Sequence, residues 1–356
     1  MALFCKLTLN NKLVLESTWC FSISILGEGV LEQIWQDLSA LPTYLIDANK
    51  RIYIPYLLSA IFMAFFVYTQ VEKSKSGKGF LRFLFPKDVW LCKSAKLDYT
   101  LLITNQIIKA ATFAPIVLTM VPVAIAVTDF LEWVLGKPLM LQWPEASVIA
   151  FFTLILFLLD DFTRYFLHLL LHKVPFLWEF HKVHHSAKVL TPFTIYRTHP
   201  VESYLYACRM ALTQGIAVGI GYHLFGTALS MFDILGANAF VFIFNIFGAN
   251  LRHSHIWFSW GDILEGWFIS PAQHQVHHSD NPKHFDTNLG SALAIWDRVG
   301  GTLIKASEAG KVSIGVGKYD AKHDSVYAIY WLPIKLAVLS LTPKKIIRKE
   351  ELEDKK

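Results

Sequence analysis

Long apolar stretches alternate with short polar segments along the chain. Residues 52–71 carry no charge over 20 positions, and residues 110–128 form a second stretch of 19. A third stretch follows Pro144 and remains largely apolar as far as His172. A helix needs roughly 20 apolar residues to cross the hydrocarbon core of a bilayer. The pattern therefore predicts a membrane-spanning helix at each stretch, the third as one long helix from about Pro144 to about His172.

Two more spans are predicted further along, between Tyr204 and Asn250. Glycines over residues 219–226 suggest the hinge of a helical hairpin there. Residues 326–341 are apolar but include a lysine, so we expect this segment to lie on the membrane, followed by a charged tail over residues 344–356.

Lysine and arginine counts in the short loops predict the orientation. Residues 72–99 hold seven basic side chains, whereas residues 129–146 hold one. Because basic loops stay in the cytoplasm, the first loop is predicted to be cytoplasmic and the second is not. Alternation then places residues 165–203 and the chain after Asn250 in the cytoplasm, and residues 1–50 on the other side.

Histidine is the residue whose distribution is unusual. The chain has 14 histidines, and five of them fall within residues 168–185. The four cysteines lie far apart with no C-x-x-C pair, so they indicate neither a disulfide framework nor a thiolate metal site.

The histidine spacings are H-x3-H once and H-x2-H-H twice. Residues four apart share a helix face, whereas adjacent residues are rotated by about 100°. Adjacent histidines therefore suit two metal ions better than one. The predicted ligands are His168, His172, His181, His184, His185, His253, His274, His277 and His278, with His199 and His255 as possible extra ligands.

These features predict an all-α integral membrane protein. We expect a bundle of about four to five transmembrane helices with a cytoplasmic histidine-rich metal-site cap. Hydrophobic residues make up 54% of the chain and charged residues 17%, below the roughly 25% charged residues of a soluble domain. This composition excludes a disordered chain, a coiled coil and a highly charged nucleic-acid binder, and we expect no nucleic-acid partner.

An all-imidazole site suits iron, zinc, copper or nickel. Three leucines separate His168 from His172, so the glutamate base of an H-E-x-x-H zinc protease is missing. One alternative is a membrane metal transporter or metal-binding protein, but a transporter places its ligands near the bilayer midplane. The other is a pair of irons that use O2 to attack an unactivated C–H bond of an apolar substrate.

The ordered motifs around these histidines resemble the fatty acid hydroxylase/sterol desaturase superfamily. The resemblance covers about residues 150–305, and it implies a histidine-ligated di-iron oxidoreductase that hydroxylates or desaturates a membrane lipid of sterol, fatty acyl or alkylglycerol type. It also implies the nine ligands named above, two Fe ions (with Zn possible by substitution) and O2 as co-substrate. The motifs that carry it are residues 161–186, Arg197-Thr-His-Pro-Val-Glu202, Asn250-Leu-Arg-His-Ser254, His274-Gln-Val-His-His-Ser279, Asp286-Thr-Asn-Leu-Gly290 and Trp296-Asp-Arg-Val-Gly-Gly-Thr302.

Several polar residues are candidates to support the ligands. We expect Asp161 to accept an imidazole N–H and so fix the tautomer, with Tyr165 beside it. Asp286, Asn288 and Asp297 are expected to hold the second H-x2-H-H in the same way.

The chain shows no Gly-x-Gly-x-x-Gly, no Walker loop and no cysteine cluster. Electrons must then come from a separate carrier, a ferredoxin or cytochrome b5 with its reductase. Basic side chains on the predicted cytoplasmic face either steer such an acidic carrier or only set the topology; they are Lys73, Lys75, Lys78, Arg82, Lys173, Lys182 and Lys188. We place the active site on the cytoplasmic face of a bacterial inner membrane or the endoplasmic reticulum. The expected organisation is an N-terminal segment with two transmembrane helices (1–145), a catalytic domain (146–305), and an interfacial helix with a charged tail (306–356).

Overall fold

The computed structural model describes most of the chain and is all-helical apart from one minimal strand pair. Strands β1 (Asp233–Ile234) and β2 (Ala237–Asn238) pair antiparallel. Residues 1–31, the loop lysines at 73–78, Pro115 and the tail 342–356, to which several predictions refer, lie outside the described residues. The structure describes residues 38–72, 79–112, 118–226, 237–310, 312–317 and 323–341, together with 32, 35, 36, 233 and 234.

Fourteen helices are described, and short 3-10 turns at Leu41–Leu45, Pro192–Tyr196, Ala249–His253 and Pro282–His284 connect some of them. The helices are α1 (Ile54–Val67), α2 (Phe80–Leu84), α3 (Lys87–Trp90), α4 (Lys93–Thr112), α5 (Met120–Leu135), α6 (Glu145–Lys173), α7 (Pro175–His185), α8 (Pro200–Phe225), α9 (Ala239–Ile246), α10 (Gly261–Leu264), α11 (Pro271–His277), α12 (Ile295–Gly300), α13 (Ala306–Ala309) and α14 (Val326–Ser340).

Helix α6 confirms the long helix predicted after Pro144. It runs over 29 residues, with Pro144 as its N-cap, and ends one residue after His172. Among the described residues it is the one helix that is long and apolar enough to cross a membrane, whereas α1 and α14 are apolar but shorter. The bundle of four to five transmembrane helices and the cytoplasmic position of the histidines stay predictions.

The span expected over residues 110–128 is wrong as a single helix. Helix α4 ends at Thr112 and α5 begins at Met120, and Thr119 between them has an extended backbone. Pro122 lies in the first turn of α5, where its missing amide hydrogen leaves no helical hydrogen bond unmade. A helix therefore begins beside this proline more readily than it continues through it.

The hinge expected over residues 219–226 is found only at the end of that range. Helix α8 continues through Gly219 and ends at Phe225, and the following Gly226 has a φ of +63°. Gly215 and Gly219 lie four residues apart on the face that packs against α5. A Cβ at Gly215 would lie 2.5 Å from Val123 Cβ, and one at Gly219 would lie 2.7 Å from Val127 Cβ. These glycines allow close helix packing and do not form a bend.

A buried ion pair joins the segments beneath the histidine helices. Arg197 donates to Asp98 Oδ1 at 2.9 Å, and Asp98 also accepts from Thr194. The guanidinium makes further hydrogen bonds to the side chain of Ser186 and to the carbonyl of His323. Both ions are nearly inaccessible to solvent, and a buried pair is tolerated when its remaining donors are satisfied. The pair thus connects α4, the end of α7 and the segment before α14.

We predict that Gly219→Ala destabilises the protein although alanine favours helices. The added methyl group must displace Val127, which costs about 1–3 kcal/mol in a packed interface and several degrees in Tm. Thermal unfolding in detergent measures the effect. Gly79→Ala is the matched control, because nothing lies within 4 Å of a Cβ there. The double variant Gly219→Ala/Val127→Ala should recover most of the loss, and an unchanged Tm for Gly219→Ala alone would contradict the close contact.

Candidate metal centre

Five histidines form a first group, which we call site 1. His168 and His172 extend from the last turns of α6, His181 and His185 lie on α7, and His277 ends α11. One ring nitrogen from each lies within 4.8 Å of those of all the others. Two consecutive helices and a third far along the chain therefore present imidazoles to one point.

Four histidines form a second group, site 2, beside the first. His184 comes from α7, His253 from the end of the 3-10 turn Ala249–His253, His274 from α11, and His278 directly follows that helix. Their nearest ring nitrogens also lie within 4.8 Å of one another. The two groups together contain all nine predicted ligands.

Adjacent histidines divide between the two sites. His184 belongs to site 2 and His185 to site 1, and the pair His278 and His277 divides in the same way. The sites are close together, since the ring centroids of His185 and His278 are 4.6 Å apart. The rotation of about 100° between neighbours on a helix is the cause, because it directs two consecutive side chains to different points.

Burial keeps these imidazoles neutral. It lowers the pKa of His181 to about 3 and that of His184 to about 4. The pKa values of His185, His253 and His278 are likewise well below the usual range because of burial and neighbouring histidines. Neutral imidazole is the form that binds a metal ion.

The inward nitrogens lack other partners. The Nε2 atoms of His168 and His181 are 3.0 Å apart, and His181 and His185 approach to 3.2 Å in the same way. The buried Nε2 atoms of His172 and His277 have no hydrogen-bond partner among the described residues. Buried polar atoms without partners are costly. A divalent cation bound by these nitrogens would remove that cost, so the donor set of site 1 fits a metal.

One loop holds the outer nitrogens of three site 1 histidines. His168 Nδ1 donates to the carbonyl of Leu289 at 2.7 Å, and His277 Nδ1 donates to that of Thr287 at 2.8 Å. His172 Nδ1 donates to Asp286 Oδ1 at 3.2 Å. Since these oxygens can only accept, each imidazole has its proton on Nδ1 and its lone pair on Nε2. Residues 286–289 thereby determine the tautomer of three imidazoles.

Glu202 performs the same task for His181. Its Oε1 accepts from His181 Nδ1 at 2.9 Å, and the side chain is buried in the first turn of α8. Sequence reasoning quoted this glutamate within a motif but assigned it no role. The signal available was an acidic side chain three residues after His199, at the start of a helix.

Asn288 and Asp297 support the loop and do not contact an imidazole themselves. Asp297 accepts from the amides of Leu289 and Gly290, at 2.8 and 2.7 Å. Asn288 donates to the carbonyl of Gln273 in α11, and its own backbone has a φ of +52°. The expectation that Asp286, Asn288 and Asp297 hold the imidazoles of the second H-x2-H-H is therefore wrong. Asp286 binds His172 instead, and the other two support the loop and α11.

The role expected of Asp161 needs correction. Its carboxylate accepts from the amides of Ala292 and Leu293 and from Trp296 Nε1, and it does not bind an imidazole. Asp161 precedes His168 by seven residues, about 10 Å along the helix axis, so it reaches a neighbouring segment instead. Tyr165 also makes no described imidazole hydrogen bond. Its hydroxyl lies against Gly300, where a Cβ would be 2.1 Å away.

His199 and His255 lie outside both sites. His199 Nδ1 accepts from the amide of Val201 and so caps α8, while its Nε2 donates to the carbonyl of Tyr330 at 3.1 Å. His255 Nε2 donates to the carbonyl of Phe83 at 2.8 Å. Each therefore has a structural hydrogen bond in place of a position at the metal centre.

One of the three lysines near the sites differs from expectation. Lys182 is buried and paired with Glu179, so it is not available to steer an electron carrier. Lys173 is half-exposed and bonded to Asp286 at 2.7 Å. Lys188 is exposed.

A cavity of about 390 Å³ opens beside the two sites. Both sites contribute to its wall, and apolar side chains including Leu102, Ile195 and Leu289 line it as well. A substrate in this cavity would therefore lie against the metal centre. The histidines in the wall are His168, His181, His184, His253 and His274.

Comparison with known proteins gives a consistent result. The fatty acid hydroxylase family model matches residues 153–302. Ornithine lipid hydroxylase OlsE of Rhizobium tropici is 29% identical over 49% of this chain and 48% of its own length. Human lathosterol oxidase is 27% identical over 44% of each chain, and alkylglycerol monooxygenase of Danio rerio is 29% identical over 45% of this chain and 32% of its own.

The chain thus spans about half the length, or less, of these curated relatives. No solved structure matches it. By their names, the relatives are enzymes that oxidise lipids, and the matched region contains all nine histidines of sites 1 and 2. These comparisons support placing residues 153–302 in the fatty acid hydroxylase/sterol desaturase superfamily.

Proposed function

We propose that the protein is a non-haem di-iron oxidoreductase that uses O2 to hydroxylate or desaturate a membrane lipid. The observation that carries the proposal is the convergence of nine neutral, mostly buried histidines as a group of five beside a group of four. Imidazole ligands without thiolate suit iron, and the relatives are named for lipid oxidation. Zinc can occupy the same ligands without supporting redox chemistry.

Two iron ions held here would supply the reductive activation of O2 needed to attack an unactivated C–H bond. The protein itself supplies orientation and exclusion of water. Residues 286–289 and Glu202 keep protons on the outer nitrogens of four site 1 imidazoles, so that the inner lone pairs face one point. The adjoining cavity brings an apolar chain against both sites.

Two further parts of the proposal concern location and electrons. Helix α6 is proposed to cross the membrane and to bring His168 and His172 to its cytoplasmic face. Electrons are proposed to come from a separate ferredoxin or from cytochrome b5 with its reductase. Sterol, fatty acyl and alkylglycerol lipids are the candidate substrates.

The first test is metal content. Protein purified without chelator should contain about two iron atoms per chain by elemental analysis, because each site has enough imidazoles for one ion. His277→Ala should selectively weaken site 1 and His278→Ala site 2, each leaving about one iron. His255→Ala is the control, since its ring lies outside both sites, and it should keep two. One metal or none in fresh wild-type protein would refute a dinuclear centre.

The second test is lipid oxidation. Cells that express the wild type should accumulate an O2-dependent oxidised lipid in mass-spectrometric profiles, and His277→Ala should abolish it, because the site 1 ion loses an inner ligand. The His255→Ala variant should retain the product. If His277→Ala instead changes metal uptake or tolerance while lipids stay the same, the protein is a metal transporter.

The third test concerns Glu202. Glu202→Gln preserves the shape of the side chain but removes the charge that holds His181, and such outer-shell changes typically cost about 10–100-fold in metal affinity or activity. We expect the loss in site 1 only, measured as metal retention during titration with a chelator. Glu179→Gln, a partner of Lys182, is the control on the preceding helix. Equal loss from both sites would show that Glu202 serves folding rather than site 1.

A further inference from the structure

The cavity beside the metal sites has a strongly positive wall. Four cationic side chains line it, whereas Glu202, the acidic residue of its lining, is already bonded to His181. Two bound divalent ions would add to this positive charge. The cations are Arg51, Lys109, Arg164 and Arg252.

Arg252 is the most buried of the four and has few partners. It is 5% exposed, and its Nε has no hydrogen-bond partner among the described residues. Nη2 makes one long contact, 3.5 Å, to the carbonyl of Ile269, and the guanidinium lies over the ring of Phe244 at 5.1 Å. No carboxylate of the described residues forms an ion pair with it, in contrast to Arg197, which is paired with Asp98.

Arg51 also lines the cavity and likewise lacks a carboxylate partner among the described residues. Its Nη1 donates to Asn245 Oδ1, a neutral acceptor. Arg164, by contrast, is bonded to Asp160 at 2.8 Å.

Buried guanidinium groups without a counter-ion are unfavourable, and arginine does not relieve the cost by losing its proton. The electrostatic balance therefore calls for an anion within the cavity. The same wall includes the apolar side chains of Leu102, Pro192 and Ile195. This combination of a charged end and an apolar surface fits an amphiphile better than a small inorganic ion.

We infer that Arg51 and Arg252 bind the anionic group, a carboxylate or a phosphate, of the lipid that is oxidised. The inference rests on the proposed function and narrows its substrate class to acidic lipids. A neutral sterol or alcohol in this cavity would leave both guanidinium groups unpaired. The alkyl chain of the bound lipid would then lie along the apolar wall, beside the histidines of both sites.

Binding to the full-length, zinc-loaded protein tests this, because zinc retains the sites without turnover. Native mass spectrometry in a non-ionic detergent compares oleate with oleyl alcohol, and dioleoyl phosphatidic acid with dioleoylglycerol. At least one acid should bind about tenfold or more tightly than its neutral partner, since charge-assisted pairing with arginine is strong. If only oleate binds more tightly than its neutral partner, the anionic group of the bound lipid is a carboxylate. If only phosphatidic acid does, the anionic group is a phosphate.

Variants locate the anion. Arg51→Gln and Arg252→Met should each weaken acid binding about tenfold while leaving neutral lipids unaffected, and Arg252→Lys should recover part of it. Arg298→Gln, which removes an exposed guanidinium outside the cavity lining, is the matched control. Zinc content confirms that each variant is folded. If Arg252→Met fails this check, the half-buried Arg51 still provides the test.

Three results would overturn the inference. The first is that acidic and neutral lipids bind equally tightly. The second is that the preference for the acid survives both arginine variants, because the metals hold the anion. The third is that inorganic phosphate binds but neither acidic lipid does. None of these affects the iron content or the lipid oxidation on which the proposed function is tested. Conversely, an acid preference in a protein that neither holds two irons nor oxidises lipids would refute the proposed function and leave an anionic-lipid site.

Discussion

The structure depends on keeping nine imidazoles buried, neutral and directed inward at two adjacent points. Burial, together with the neighbouring histidines, depresses their pKa values and so removes the competition from protons. Burial also leaves their inner nitrogens without water, which is tolerable where a cation takes its place. The remaining constraint is rotational, since an imidazole binds with the nitrogen that its outer hydrogen bond leaves free.

Much of the surrounding polar structure serves that rotational constraint. Residues 286–289 accept from three imidazoles, and Asp297 fixes this loop through two of its amides. Glu202 holds a fourth imidazole from α8. The ion pair between Asp98 and Arg197 joins the ends of the segments that present these groups. Orientation of the ligands is thus distributed over elements far apart in the chain.

The cavity connects the metal centre with the apolar part of the molecule. Its wall includes histidines of both sites, together with Arg51 and Arg252, which form no ion pair with a carboxylate of the described residues. By contrast, the guanidinium of Arg197, which lies outside this cavity, forms an ion pair with Asp98. The unpaired groups at Arg51 and Arg252 are therefore a property of the binding cavity and not of the scaffold.

The sequence by itself determined which nine histidines are candidate ligands, how they divide into separate helical groups, and where the long helix α6 lies. These features depend on local spacing and on the length of the hydrophobic stretch. The sequence also indicated that adjacent histidines face different points, a direct result of helical rotation. Tertiary structure alone decided that Glu202 and the carbonyls of Thr287 and Leu289 hold the imidazoles, since backbone acceptors leave no trace in residue type. It also decided that Asp161 binds another segment and that Gly219 packs a helix instead of bending one, because both outcomes depend on which neighbour lies opposite.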